Sequence, residues 1–518
     1  MVTVGKSAGR ARTHAAAGLL LAGLLPAGLL LAGLALAARG MAQGPGDVTV
    51  PLVAPQAPGG ATAGPSGQPP PSMGEREDAR EALRGTGMTQ AAVPGLEATA
   101  AKGDKAAQME LAVMYYNGVG VGQSYPKALY WYRLAAEGGN AAAMSIVGMA
   151  YQTGLGTPRN DAKAFAWDRR AAELGVDNAQ CNLGILYLKG RGVPRDEAQA
   201  RRWFRKAADS GNPEAMGNLA RMLKRGQGGP RDLDGALALL RQGADLGDVA
   251  CENGLAYQLD RGQGAPQDHA AALRWWRKAA QKNDPVAQCN LGLLLAKGQG
   301  GPVDRAQGLR WVRKAADQGL PRAQVALGRL LEEDGTPAGI HEALDRFRKA
   351  AQAGDAQGQL ALAGLLHDGK GVAQDYADAL RWNRKAAEQG LAAAEFNVGY
   401  MLNEGQGTAP DPAAAGPWLR KAALQGVADA QGGLGVLCLD GRGTPRDPVQ
   451  AYEWFAVLAA GTGTAQADRE RAAALRDEAA RLLSPKQVQA AKAWADAFRP
   501  RVSPESLSAD EVIEPDGP

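Results

Sequence analysis

The chain is poor in the residues that reactive sites are usually built from. Among its 518 residues are four cysteines, four histidines and only 5% aromatics. Cys181, Cys251, Cys289 and Cys438 are too sparse for a disulfide framework, and no pair has zinc-site spacing. All four therefore read as small buried apolar residues. Outside the N-terminal leader only His269, His341 and His367 occur, in unrelated positions and in no H-E-x-x-H. A net charge of +4 gives no case for a nucleic-acid partner. No GxGxxG follows a strand pattern. The single GK[ST], Gly5-Lys6-Ser7, lacks the upstream glycine of a P-loop. The one G-x-S-x-G, Gly5 to Gly9, has no strand before it to form an elbow. The expectation is a protein with no catalytic residues, no metal and no cofactor: not an enzyme.

What the chain has in abundance is repetition. The stretch Arg201 to Ala220, RRWFRKAADSGNPEAMGNLA, returns in altered form from Arg274, Arg310 and Arg381. Trp131, Trp167, Trp203, Leu239, Trp275 and Trp311 are spaced by 36 residues. A shorter step leads to Arg346, and Trp382, Trp418 and Trp454 resume the spacing. A fixed period between 20 and 50 residues is the signature of stacked repeats.

Two columns punctuate each period. Ser124, Asn160, Asp196, Asp232, Asp268, Asp304, Asp375, Asp411 and Asp447 are favoured N-caps opening the second helix of each unit. Gly103, Gly139, Gly175, Gly211, Gly247, Asn283, Gly319, Gly354, Gly390 and Gly426 close it. Asn at the single exception is the next-best residue for a left-handed position. Asn140, Asn212, Asp248, Asp284 and Asp355 then cap the following helix. Paired glycines, as in Gly190-Arg191-Gly192, mark the turn inside the unit. Ala179, Leu183, Leu186 and Tyr187 share one side of the first helix, and Ala198, Trp203, Ala207 and Ala208 recur along the second. Trp131, Trp167, Trp203, Trp275, Trp311, Trp382, Trp418 and Trp454 are accordingly expected to be structural, filling the space between units. Arg205-Lys206 and its copies sit in a last turn, where cations suit the helix dipole, on a solvated face.

Ala179, Gln180, Leu183, Gly184, Tyr187, Gly190, Gly192, Asp196, Ala200, Trp203, Lys206, Ala207, Ala208 and Gly211 form a pattern that resembles the Sel-one-like repeat, a relative of the tetratricopeptide repeat. Ten such units run from about Lys105 to Gly461, so the resemblance covers most of the chain. It implies an all-α superhelical solenoid of helix–turn–helix repeats whose first helices line a concave face. It also implies protein–protein interaction as the task. The unit from Pro321 to Asp355 departs from the pattern. It is one residue short, Asp334 stands where a turn glycine is expected, and Arg346 replaces the Trp. A kink or hinge is expected there. Relatives discussed as penicillin-binding or penicillin-cleaving carry paired cysteines, which this chain lacks, so a hydrolase (β-lactamase-like) activity does not transfer.

The flanks differ in composition. Lys6, Arg10, Arg12 and His14 precede an uncharged run from Ala15 to Ala38. This is the layout of a secretory signal, with small residues suiting cleavage after Ala37 or Ala42. The run is also long enough to span a bilayer, so residues 1–42 are a signal peptide or an uncleaved anchor, the chain's one membrane contact. Either way the remainder is expected to be exported, to the periplasm or outside the cell. Residues 43–74 form a Pro/Gly/Ala-rich linker that buries too little apolar surface to order. Within residues 75–104 the reading is a helix over Glu75 to Leu83 and a degenerate half-repeat. Two helices in 465–499 cap the stack, as terminal repeats require. Residues 502–518 are an acidic disordered tail.

Binding must be read from columns that capping and packing leave over. Asn182, Asn218, Asn290 and Asn397 form one. Their amides are placed either to bond an extended peptide or to bond locally. A second column reads Lys189, Arg225, Arg261 and Lys297, then Glu333, Asp368, Glu404 and Asp440. Cations there suit a helix C-terminus and the acids oppose it. The switch either orients a protein partner or head-to-tail copies, or is drift of exposed residues. The expected function is an envelope adaptor that takes a protein or peptide in its groove. A glycan- or peptidoglycan-binding solenoid is the alternative, with Tyr257 and Tyr400 as its candidate aromatics.

Overall fold

The computed structural model describes residues 93–461 and 464–501. The signal or anchor, the linker, the helix at Glu75 to Leu83 and the acidic tail lie outside the described residues. Those described contain 23 α-helices and no strand, as the repeat pattern predicts. Contacts divide them into two compact units, one up to Asp284 and one from Pro285 onward.

The first unit opens with α1 (Val93–Ala101), the half-repeat seen in the sequence. Five hairpins follow it: α2 (Lys105–Asn117) with α3 (Tyr125–Glu137), α4 (Ala141–Thr153) with α5 (Asp161–Glu173), α6 (Asp177–Lys189) with α7 (Glu197–Asp209), α8 (Pro213–Arg225) with α9 (Leu233–Asp245), and α10 (Val249–Arg261) with α11 (His269–Gln281). The second unit has α12 (Pro285–Lys297) with α13 (Arg305–Asp317), α14 (Pro321–Asp334) with α15 (Pro337–Gln352), α16 (Ala356–Asp368) with α17 (Tyr376–Glu388), α18 (Ala392–Glu404) with α19 (Pro412–Leu424), and α20 (Ala428–Asp440) with α21 (Pro448–Ala460). Two further helices, α22 (Gln466–Ala480) and α23 (Pro485–Ala497), pack on α21 and close this end. Within the units several first helices of neighbouring hairpins touch: α4 with α6, α8 with α10, α12 with α14, α14 with α16, and α18 with α20.

The punctuation does what the residue types require. Asp196 Oδ1 accepts from the Gln199 backbone N–H at 2.9 Å, and the rest of that column caps in the same way. Thr336 takes the role in the short repeat, accepting from the Gly339 N–H at 3.1 Å. Asn283 is the one non-glycine with positive φ, at 66°, among the described residues. The recurrent Gln of the pattern also has a task. Gln180 Nε2 donates to the Ala172 carbonyl at 3.2 Å, and Gln108, Gln359 and Gln431 do the same eight residues back. Each thereby satisfies a last-turn carbonyl of the preceding second helix.

The core corrects one expectation. The fully buried column of the second helices is the residue after the Trp: Tyr132, Phe204, Trp276, Val312, Phe347, Leu419 and Phe455. A glycine on the first helix admits it. A Cβ on Gly184 would lie 2.7 Å from Phe204 Cε1, and one on Gly435 would lie 2.7 Å from Phe455 Cε1. Apart from the buried Trp454 the Trp column is half-buried, and six of its rings carry a cation from the following turn. Arg170 covers Trp167 at 4.5 Å, and Lys206 covers Trp203 at 4.3 Å. Lys278, Lys314, Lys385 and Lys421 repeat the arrangement on Trp275, Trp311, Trp382 and Trp418. The lysines therefore act on the indoles as well as on the helix dipole. Trp131 and Trp454 lack that cation, having Leu134 and Val457 in its place. Trp454 is buried instead beneath Trp494 and Phe498 of the terminal segment, at 5.1 and 5.5 Å.

The irregular repeat loses its G-x-G turn to Gly335-Thr336 alone. Arg346, in the place of the Trp, is held by Asp317 at 2.7 Å and Glu342 at 3.3 Å. Asp334 is tied to Arg305 at 2.7 Å.

Candidate functional site

The first-helix layer carries the candidate binding columns, and their geometry separates residues that look alike in sequence. Asn397 is buried and donates from Nδ2 to Asn383 Oδ1 at 3.2 Å. Asn290 is also buried. Asn182 bonds the carboxylate of Asp168, which stands in the core column of its repeat. Asn218 Nδ2 meets Cys181 Sγ at 3.9 Å, and its Oδ1 accepts from Arg221. The amides thus turn to local partners, and Asn290 and Asn397 present no surface for a peptide backbone.

The charged column lies at the C-terminal ends of the first helices. In the first unit Lys189 and Arg225 are exposed, while Arg261 reaches Asp260 Oδ2 at 3.7 Å. Partial desolvation of its ammonium by neighbouring atoms lowers the Lys189 pKa, and Arg191 and Arg221 lower it further. Cations therefore crowd this stretch. In the second unit Lys297 begins the column and the acids follow. Glu333 pairs with Arg305 at 3.2 Å, Asp368 accepts from His367 at 2.9 Å, and Glu404 accepts from Asn403 Nδ2 at 2.6 Å. Asp440 is exposed.

Comparison with known proteins identifies the repeat. The Sel1 repeat profile matches ten consecutive stretches, 105–140, 141–176, 177–212, 213–248, 249–284, 285–320, 321–355, 356–391, 392–427 and 428–462. The chain belongs to the Sel1 repeat family. A protective antigen of uropathogenic Escherichia coli with an SLR fold is 30% identical, with a TM-score of 0.49, over 82% of this chain and 99% of its own. A Sel1 repeat protein from Oxalobacter formigenes is 28% identical, with a TM-score of 0.42, over 46% of this chain and 96% of its own. No curated protein matches the chain. Sel1 repeats generally mediate protein–protein interactions, and the fold is typically a non-catalytic scaffold.

Within this Sel1 array the aromatic candidates diverge. Tyr257 is 4% exposed and carries Lys224 over its ring at 4.4 Å, so it offers no face to a sugar. Tyr400 is half-buried, tilted against Phe396 at 6.1 Å, and lines a recess. The four cysteines are buried and free, as their apolar neighbourhoods predict. Burial pushes the Cys289 thiol up to about 12 and that of Cys438 to about 11, which leaves both unreactive as nucleophiles. His269 Nδ1 lies 2.8 Å from Asp260 Oδ1. Among the described residues no three His, Cys, Asp or Glu side chains gather as metal ligands, and no helix is long and apolar enough to cross a membrane.

Proposed function

We propose that the chain is an exported interaction scaffold of the bacterial envelope that holds a protein or peptide partner against its first-helix layer without acting chemically on it. The observation that carries this reading is the contact between successive first helices, which brings residues one repeat apart into one strip. Arg225 and Arg261 are brought together in this way in the first unit. Glu333 is so paired with Asp368, and Glu404 with Asp440, in the second. A partner with complementary charge would be steered and oriented by such strips more than it would be tightened. Export is supported by the basic stretch ahead of the Ala15 to Ala38 run.

The test is cross-linking capture from the envelope by the intact chain, followed by mass spectrometry, compared with a Glu404→Lys, Asp440→Lys variant. Loss of one defined partner in the variant supports the reading; the same partner at the same yield refutes it. Export has its own readout. A mature mass starting at Ala38 or Gln43, or an intact chain in the membrane fraction, agrees with it. An intact chain in the soluble cytoplasm does not.

A further inference from the structure

The last described helix is held to the array by very little. α23 buries one residue fully, Ala491, and half-buries Val488 and Ala495 on the same stripe, with Phe498 just past its end. Among the described residues, the segment from Ser484 to Arg501 makes one backbone hydrogen bond to any other helix or loop. It runs from the Arg501 N–H to the Leu424 carbonyl at 2.8 Å. What holds the segment is an aromatic pair. Trp494 and Phe498, four residues apart, meet the Trp454 indole in edge arrangements at 5.1 and 5.5 Å. Trp454 is thereby 2% exposed, although Trp494 itself keeps 37% of its surface in solvent. The end of the segment has a seat of its own. A Cβ on Gly426 would lie 3.1 Å from Pro500 Cβ, whereas at Gly211, Gly319 and Gly354, the same place in other repeats, it would meet nothing within 4 Å.

The repeats do not need this cover. Trp131 also lacks a cation from its own helix, and it stays half-buried with no such helix over it. The face of α21 takes instead a helix of narrow description. Ala491 and Ala495 allow close approach, aromatics four residues apart close on the indole, and a proline two residues further on fits the glycine seat. A helix laid by one stripe onto an apolar face is a recurring mode of recognition between chains. An element with so few buried side chains also opens at a lower free energy than the packed repeats beside it. We propose that Ser484 to Arg501 is a removable strap, a self-ligand that lifts from α21 while the repeats stay folded and yields the Trp454 face to a partner helix bearing the same aromatic pair. This face lies on a second helix and uses none of the charged strips, so it goes beyond the scaffold reading and is tested apart from it.

The experiment uses the full chain and, as probe, a fluorescein-labelled peptide of residues 484–501. In the parent, hydrogen exchange followed by mass spectrometry should be at least about tenfold faster in α23 than in α21. The peptide should bind the Trp494→Ala, Phe498→Ala chain saturably. It should bind the parent at least about tenfold more weakly, because there the strap already occupies the face. A peptide with both aromatics replaced by alanine should not bind. Gly426→Ala should speed exchange in α23 further, whereas Gly354→Ala, a control of nearly equal φ (94° and 90°), should not. That pair decides the matter if the double variant does not fold, and no difference between its members would overturn the proposal. Exchange of α23 in step with α21, no binding to the folded double variant, equal binding to variant and parent, or equal binding of the alanine peptide (an unspecific apolar face) would each overturn it as well.

Discussion

Asp168 should make the stability of the first unit depend on pH in a way that a single isosteric change removes. It occupies the core column between α4 and α6, where the next repeat has Phe204, and it is fully buried. Oδ2 accepts from Gln152 Nε2 at 2.6 Å, and Asn182 is the other amide at the carboxylate. Burial pushes the carboxyl from 3.8 up to about 7, against the hydrogen bonds from Gln152 and Asn182 that favour ionisation. The folded value lies above the unfolded one, so the contribution to stability is fully present below about pH 4. It falls by about 1.4 kcal/mol per pH unit as the unfolded chain ionises first, and it is lost once the pH passes about 7. Over that window the loss amounts to about 4 kcal/mol. Asp168→Asn keeps an acceptor for Gln152 and cannot ionise. In urea titrations of the full chain followed by circular dichroism, mutant and parent should be close at pH 4.5, and the mutant should be more stable by several kcal/mol at pH 8.5. A repeat array can unfold in stages, so the transition to watch is that of the unit ending at Asp284. A difference between mutant and parent that is the same at both pH values would refute the assignment of this carboxyl.

The adjacent pair Trp203 and Phe204 offers a direct comparison: Phe204→Ala should cost about 3–5 kcal/mol and Trp203→Ala clearly less, read from chemical denaturation. Gly184→Ala should cost about 1–3 kcal/mol by overpacking against Phe204, and Phe204→Leu should restore part of that loss in the double variant. Gly192→Ala should be worse than Gly211→Ala in melting temperature. Both have positive φ, but a Cβ on Gly192 runs into the Asp161 carbonyl, whereas one on Gly211 meets nothing. Equal losses at the two glycines would show that backbone conformation alone sets the cost.

Much of the fold was legible because its punctuation is chemically narrow. Few residues cap a helix with a side-chain oxygen, and few adopt positive φ, so columns such as Asp196 and Gly211 announce themselves. The terminal helices were legible for the same reason, with Ser484-Pro485 opening α23 through a capping box. The core was less so. Trp203 recurs and Phe204 does not, and recurrence was read as burial. The physical situation is the reverse. A pocket emptied by a first-helix glycine accepts whatever side chain fits, so the buried column drifts among Phe, Trp, Val, Leu and Tyr. A half-buried indole paired with a cation three residues on is a specific two-body contact, and such a pair is copied intact. The glycine of the Leu-Gly pair was quoted as pattern with no role, because its partner lies 20 residues away, as Gly184 does from Phe204.

The same column also recasts the asparagines. It turns polar at Asp168 and Asn383, and in both repeats an asparagine of the first-helix column answers it: Asn182 for Asp168 and Asn397 for Asn383. A buried polar group without a partner is costly, so a change at one position calls for an amide at the other, with no guest required. Two of the four candidate groove amides are explained by what lies beneath them. The two repeats nevertheless differ in how the pair is covered. At Asp168 the opposing Gly148 is filled by the carboxylate itself, and the carboxylate–amide pair closes the core. At Asn383 the opposing residue is Ala363, the neighbouring Gly364 leaves open space, and the pair is left under an opening. Equivalent polar substitutions have produced a sealed core in one place and an open recess in the other.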